Sequence, residues 1–159
     1  MNLTIEHEYE EFLTLQRRMG DDLRFIMALG KIIYELKYIN DYALGISRIT
    51  VEFDLAPDMK LLKTLRLNEM FSFVISMLED IRDVYLDKDS QRAHKVFKKE
   101  RKENEISYNT NSIISYLLKN EGDIIEQSLL LLSVIENVER VGDLITNIAQ
   151  KIIFFREAV

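Results

Sequence analysis

Apolar residues recur along this chain in alternating steps of three and four, the spacing that places side chains on one face of an α-helix. The longest series starts at Ser128 and continues through Leu131, Ile135, Val138, Gly142, Ile145, Ala149 and Ile152. Two further series have the same spacing: Ile26, Leu29, Ile33, Leu36, Asn40, Ala43, Ser47, and Met70, Phe73, Met77, Ile81, Val84. The pattern predicts an all-α protein with five helices, at roughly 3–18, 20–49, 59–87, 90–119 and 122–157.

The predicted helix ends coincide with residues that commonly stop or start a helix. Gly20, Gly122 and Pro57 each stand directly before an aspartate that can cap the helix that follows. Residues 50–56 form the only extended-looking stretch, and they are the one linker that the pattern suggests.

A shift of 102 residues places the second predicted helix on the fifth. Identical residues then coincide at five positions: Asp21 with Asp123, Leu29 with Leu131, Ile33 with Ile135, Asp41 with Asp143, and Ile46 with Ile148. The apolar stripes of the two helices share one register, and the first helix falls on the end of the fourth. These coincidences indicate an internal duplication.

The same shift assigns different numbers of helices to the two repeats. The counterparts of 59–87 and of residues 90–102 would precede residue 1, whereas 103–119 fall on 1–17. We therefore predict a complete three-helix repeat over 58–159 and a first repeat of two helices over 1–52. A two-helix remnant exposes apolar surface that a third helix would cover. A chain shortened at its N-terminus is favoured over the alternative, in which another chain fills the groove.

Composition narrows the class of protein further. With five glycines and one proline in 159 residues, the chain has few turn residues, which argues against an all-β barrel or sandwich. The lack of cysteine excludes disulfide frameworks, thiolate zinc sites and cysteine nucleophiles. A net charge of -6 argues against non-specific binding of nucleic acid.

Neither a targeting segment nor a catalytic motif is visible in the sequence. No apolar run reaches the roughly 18 residues of a membrane helix, and the N-terminus lacks the pattern of a signal peptide, so a cytoplasmic protein is expected. The sequence contains no glycine-rich phosphate loop and no nucleophile–base pair. We therefore predict a protein that is not an enzyme.

The stretch IENVERVGDLITNIAQKIIF, residues 135–154, resembles the signature of PhoU-type phosphate-signalling proteins. That signature has a Glu-Arg-Ile-Gly-Asp core followed by Asn-Ile-Ala, and the chain matches it at Glu139, Arg140, Gly142, Asp143, Asn147, Ile148 and Ala149. Residues 21–48 are similar to the first signature of the family, but Lys37 and Tyr38 stand in place of its Glu-Arg and Asn40 in place of its glycine. The resemblance implies tandem three-helix bundles, the first of them truncated at its N-terminus.

The resemblance also implies a function and partners. Proteins of this family link a phosphate ABC transporter, through its ATPase, to a sensor histidine kinase, and they repress phosphate-starvation genes when phosphate is plentiful. A homodimer is expected as well. Two alternatives stay open: the PhoU-like cytoplasmic tail of a sodium–phosphate symporter, and a metal-dependent helical-bundle enzyme.

Glu139 and Asp143 stand four residues apart, so both carboxylates lie on one face of the last helix, at the edge of its apolar stripe. Two acids one turn apart repel unless positive charge lies between them. Either a cation with oxygen ligands or a neighbouring Arg or Lys would supply that charge. A salt-bridged or solvated helix edge is the commoner arrangement for such a pair.

The resemblance implies that this pair belongs to a metal site with Glu100 of the preceding helix, holding Fe, Mn or Zn. Asn104 replaces the second acid of that helix, so the predicted site through Glu100, Glu139 and Asp143 has a reduced ligand charge. In the first repeat Lys37 replaces the first acid, and it is predicted to form an ion pair with Asp41 in place of a metal. No catalytic residue is predicted.

Overall fold

The computed structural model describes residues 7–8, 11, 21–52, 58–87, 90–120 and 125–157. Every described residue except Asp58, Leu65 and Arg66 is helical, which confirms the all-α prediction. The helices with defined bounds are α1 (Asp21–Glu52), α2 (Met59–Thr64), α3 (Leu67–Asp87), α4 (Ser90–Asn120) and α5 (Ile125–Glu157). His7, Glu8 and Glu11 are helical too, and the rest of the predicted helix 3–18 lies outside the described residues. The predicted linker also differs, because α1 continues through residues 50–52, whereas 53–57 are not described.

The single helix predicted over 59–87 is wrong at one point, because the chain turns between α2 and α3. The carboxylate of Asp58 caps α2 by accepting a hydrogen bond of 2.7 Å from the backbone N–H of Lys60. Leu65 is fully buried, and Arg66 takes a left-handed backbone conformation with φ 53. The Arg66 guanidinium donates to both carboxylate oxygens of Glu69, at 2.8 and 2.7 Å. Burial of Leu65 therefore imposes a break at a point without glycine or proline.

Helices α3, α4 and α5 each contact the other two and form a three-helix bundle. Its core is built from the inward stripes of the three helices, and its fully or nearly fully buried members include Met70, Met77, Val84, Val96, Ile114, Ile135, Val138, Ile145, Ile148 and Ile152. Burial of each such side chain contributes about 1.5–3 kcal/mol. The helical stripes predicted for α3 and α5 therefore lie in the core. The domain limits 1–52 and 58–159 stay a prediction.

Polar contacts link α3 to α4 along one side of the bundle. The ammonium group of Lys99 lies 2.6 Å from Asp80 and also donates to the hydroxyl of Ser76. Nearer the start of α4, Arg92 donates to Asp87 at 3.0 Å. Lys99 stands directly before Glu100 and four residues before Glu103. Its contacts with α3 therefore help to set the rotation of α4 about its own axis.

Helix α1 packs against α5 on the side away from the bundle, and among the described elements it contacts no other helix. Ala28 and Ile32 are buried there, and Ile39 and Tyr42 pack against the core at its edge. The α5 helix is thus enclosed by α1, α3 and α4. No helix within the described ranges has the length and apolar character needed to cross a membrane.

The apolar stripe predicted on α1 lies only partly in this contact. Ile26 is buried, but Leu36, Asn40, Ala43 and Ser47 are exposed. The contact with α5 instead uses a neighbouring face of α1, since a helix with apolar residues on two faces can bury only the face that has a partner.

Candidate functional site

The centre of the site is Glu103, an acid on the inward face of α4. It stands seven residues after Val96 and three before Ile106, so it occupies a position of the apolar stripe. Its side chain has no exposed surface, and neither carboxylate oxygen has a hydrogen-bond partner in the described part of the chain. A buried charge without a partner is costly, so this carboxyl group is a destabilising feature of the core.

Gly142 of α5 lies opposite Glu103 and provides the space that its carboxyl group occupies. A Cβ atom at position 142 would lie 3.1 Å from Oε2 of Glu103. A glycine on the apolar stripe of α5 lets another group approach the helix closely, and the approaching group is the Glu103 side chain.

Glu139 and Asp143 flank Gly142 on α5, one turn apart. The hydroxyl of Ser107 on α4 donates a hydrogen bond to Oε2 of Glu139. Arg140 lies 3.6 Å from Asp143, in an ion pair whose side chains are 67% and 42% exposed. Because an exposed pair of this kind contributes at most about 1 kcal/mol, it offsets only part of the negative charge.

Burial and the negative charge of neighbouring acids raise the pKa values of three carboxyl groups of the site, those of Glu103, Asp143 and Glu100. Burial, followed by the charges of Glu139, Asp143 and Glu100, raises the pKa of Glu103 from 4.5 to about 7. Burial and the charge of Glu139 raise the pKa of Asp143, although Arg140 opposes the shift. Burial and the charge of Asp143 raise the pKa of Glu100. A substantial fraction of the protein therefore carries a proton on Glu103 near neutral pH.

The structure thus brings the predicted residues Glu100, Glu139 and Asp143 near one another and adds Glu103, which the sequence reasoning missed. The resemblance to the family implies Glu100 and Asn104 as the site positions of α4, and it does not include Glu103. The Asn104 Oδ1 atom is buried and has no hydrogen-bond partner among the residues that the structure describes. The sequence signal for Glu103 is its spacing alone, seven residues after Val96 and three before Ile106, which places an acid among the apolar positions of α4.

The arrangement of these acids does not fit a metal ion. Among the residues that the structure describes, no three His, Cys, Asp or Glu side chains are placed to hold one. Ser107 already occupies one oxygen of Glu139, and Arg140 lies beside Asp143. Carboxylates are suitable ligands for hard or borderline cations, so the donor types fit and the geometry does not. Metal binding through Glu100, Glu139 and Asp143 stays a prediction.

The ion pair predicted between Lys37 and Asp41 on α1 is wrong. Asp41 is exposed, and within the described residues it forms no ion pair with Lys37. The order Lys before Asp at this spacing is the less favourable one in a helix, which agrees with that arrangement.

Two glycine substitutions test the geometry of the site. Alanine in place of Gly45, whose Cβ would lie 3.6 Å from Asn137, is expected to raise the free energy of unfolding by about 0.5–1 kcal/mol through helix propensity. Gly142→Ala is expected not to raise the free energy of unfolding in this way, because the added methyl group would press on Glu103. Denaturant unfolding of both variants measures the difference.

A double-mutant cycle identifies the cause. In a Glu103→Ala background, Gly142→Ala is expected to recover the stabilisation that Gly45→Ala shows, because the opposing carboxyl group is gone. Equal effects of Gly142→Ala in both backgrounds would contradict the contact between these two residues.

Comparison with protein families places these helices in a known group. The family model described as "PhoU domain" matches residues 67–152, from the first residue of α3 to Ile152 in α5. The matched segment therefore contains the three-helix bundle and all four acids of the site.

Curated relatives match almost the whole chain. The chain is 32% identical over 154 residues to the phosphate-specific transport system accessory protein PhoU homolog of Caulobacter vibrioides, with 94% of this chain and 65% of that protein covered. The homolog from Deinococcus radiodurans is 25% identical over 149 residues, with 93% and 68% covered. The chain thus spans about two thirds of the length of these relatives.

Solved structures show the same fold. The crystal structure of PhoU from Pseudomonas aeruginosa matches with a TM-score of 0.88 at 20% identity, covering 99% of this chain and 75% of that one. The phosphate transport system regulatory protein PhoU from Streptococcus pneumoniae matches with a TM-score of 0.81 at 23% identity, covering 97% and 71%. Both likenesses agree with the helical-bundle architecture predicted from the sequence.

Proposed function

The chain belongs to the PhoU family, and we propose that it acts as a non-enzymatic cytoplasmic regulator of phosphate uptake and phosphate-starvation signalling. In this role it is a helical adaptor between the ATPase of a phosphate ABC transporter and a sensor histidine kinase, and it represses signalling when phosphate is plentiful. The observation that carries the proposal is the PhoU domain match over 67–152, the residues that build the α3–α5 bundle. Curated relatives, including one from Escherichia coli, are named as accessory proteins of phosphate-specific transport.

The geometry of the acid cluster supports an adaptor rather than an enzyme. Glu103 has the most perturbed carboxyl group of the site, and its side chain has no exposed surface. A substrate would have to separate α4 from α5 to reach it. A catalytic acid or base must lie within hydrogen-bond distance of the proton that it transfers, so this buried position suits a structural role.

Affinity capture with the 159-residue chain as bait tests the proposal. From phosphate-replete cells of the source organism, we expect recovery of the phosphate transporter's ATPase, the sensor histidine kinase, or both, identified by mass spectrometry. The same bait in an extract of phosphate-starved cells is the matched control, and we expect lower recovery there. Failure to enrich either partner above empty resin in the replete extract would overturn the proposed role.

The metal prediction has a separate test that does not depend on the partners. Elemental analysis of protein prepared without chelators measures Fe, Mn and Zn per chain, with the Glu139→Ala/Asp143→Ala variant as reference. Metal bound to the native chain and lost from the variant would support the prediction. Equal content in both proteins, or no metal in either, would remove it.

A further inference from the structure

Residues 92–102 of α4 concentrate positive charge in an otherwise acidic chain. Six of the 21 Lys and Arg residues lie in this segment beside a single acid, Glu100, although the whole chain has a net charge of -6. Because α4 is one continuous helix from Ser90 to Asn120, helical spacing divides these cations among different sides of it. Their contacts show which of them the fold itself uses.

The cations that face α3 are paired within the bundle. The ammonium nitrogen of Lys99 lies 2.6 Å from a carboxylate oxygen of Asp80. Arg92 stands seven residues earlier, on the same side of α4, and its guanidinium lies 3.0 Å from Asp87 and 3.8 Å from Asp83. The acids of α3 therefore account for these two cations.

Three further cations, Lys95, Lys98 and Lys102, form a separate row on α4, here called the lysine row. Steps of three and four residues place them on one side of the helix, along about 10 Å of its axis. All three are exposed, and none forms an ion pair with a described residue. Like charges at this spacing repel one another, so the lysine row opposes helix formation. An anionic group laid along the row would remove that repulsion.

Acids lie on both sides of the lysine row, and they limit the shape of an anionic partner. Toward α3 are Asp80, Asp83 and Asp87, and toward α5 are Glu100 and Asp143 of the acid cluster. A flat anionic surface such as a membrane would meet these acids together with the lysines and be repelled by them. A narrow rod can contact the lysines alone. An α-helix, about 10–12 Å across with its side chains, has that shape.

We propose that the lysine row binds an acidic α-helical segment of another protein, in which carboxylates recur at steps of three and four residues. Each lysine then lies opposite one carboxylate of the partner helix. No apolar side chain lies within the row, so charge supplies most of the attraction, and association is fast and sensitive to salt. The proposal does not require that the segment belong to the transporter or the kinase. A failed capture experiment would therefore leave it intact, and its own failure would leave the regulatory role intact.

A synthetic peptide is the probe for this surface. A fluorescent, alanine-rich peptide of about 20 residues, long enough to be helical in water, carries glutamates at steps of three and four along one face. The control peptide has the same composition, with its glutamates spread around the helix. Fluorescence anisotropy at low ionic strength is expected to show the first peptide binding the native chain about fivefold or more tightly than the control peptide. Equal binding of the two peptides, or binding of neither, would overturn the proposal.

Neutralising the lysine row tests where the peptide binds. The variant Lys95→Gln/Lys98→Gln/Lys102→Gln is expected to raise the dissociation constant of the one-faced peptide by about tenfold or more, because three charge pairs are lost. Circular dichroism checks that the helix content is kept. Added salt is expected to weaken binding to the native chain far more than binding to this variant.

The matched control removes the same charge elsewhere. Lys60→Gln/Lys63→Gln/Lys119→Gln changes three exposed lysines of α2 and α4, and it should alter the dissociation constant by less than about twofold. Equal weakening in the two triple variants would mean that net charge alone attracts the peptide, which contradicts a defined surface.

Amine labelling of the native chain gives a second measurement that needs no variant. With a succinimidyl ester and mass spectrometry, the one-faced peptide is expected to slow labelling of the lysine row severalfold and to leave Lys60 and Lys63 unchanged. Vesicles of phosphatidylglycerol and phosphatidylcholine are the membrane arm of the test, and we expect them not to protect the row. Protection by the vesicles without protection by the peptide would replace the acidic helix by a membrane and overturn the proposal.

Discussion

As the pH rises from 4.5 to about 7, the free energy of unfolding is expected to fall by up to about 3 kcal/mol, because the folded protein must ionise Glu103 in the core. The pKa of this carboxyl group is raised in the folded protein, so the folded state binds more protons than the unfolded state between the two pKa values. Stability is therefore fully present below that window and is lost across it. The raised pKa values of Asp143 and Glu100 act in the same direction.

The Glu103→Gln variant removes the buried titrating group while it keeps the size of the side chain. We expect it to flatten the pH dependence and to exceed the native protein in stability above about pH 7, because a neutral amide avoids the cost of a buried charge. Glu136→Gln, an exposed acid of α5, is the matched control and should keep the native profile. Urea unfolding at a series of pH values measures the curves. An unchanged profile in Glu103→Gln would show that another group is responsible.

Replacing Ile145 by alanine is expected to lower the free energy of unfolding by about 2–5 kcal/mol, since this side chain is fully buried between the helices of the bundle. The loss combines the transfer of the deleted carbons with the cavity that they leave. Chemical denaturation of the native and variant proteins gives the difference directly.

Leu36→Ala on α1 is the matched comparison, because leucine and isoleucine lose the same number of carbons when they become alanine. Leu36 is 48% exposed, and we expect this change to cost less than about 1 kcal/mol in the isolated chain. A cost at Leu36 close to that at Ile145 would mean that the Leu36 side chain is covered in the folded chain.

The secondary structure was largely predictable because it depends on local spacing. Helical spacing in α5 runs without interruption from Leu131 to Ile152, and the structure has one helix there. The prediction failed at Leu65 and Arg66, where the chain turns without glycine or proline. That turn depends on burial of Leu65 against other helices, and a propensity scale contains no such information.

The candidate site was predictable in part for a similar reason. Glu139 and Asp143 share a face because they lie one turn apart on one helix, and this follows from the sequence alone. The contribution of Glu103 depends on the rotation of α4 relative to α5. Only packing sets that rotation, so the buried carboxyl group became visible only once the two helices were placed together.

The sequence by itself determined the helical class, the family and the acids of the last helix, because periodic spacing and a contiguous signature act within single segments. Tertiary structure alone decided which faces of those helices are covered. The equivalent faces of α1 and α5 have similar patterns, yet Val138 lies in the core and Leu36 faces outward. The physical reason is that burial belongs to a pair of surfaces, and a helix cannot specify from its own residues whether a partner is present.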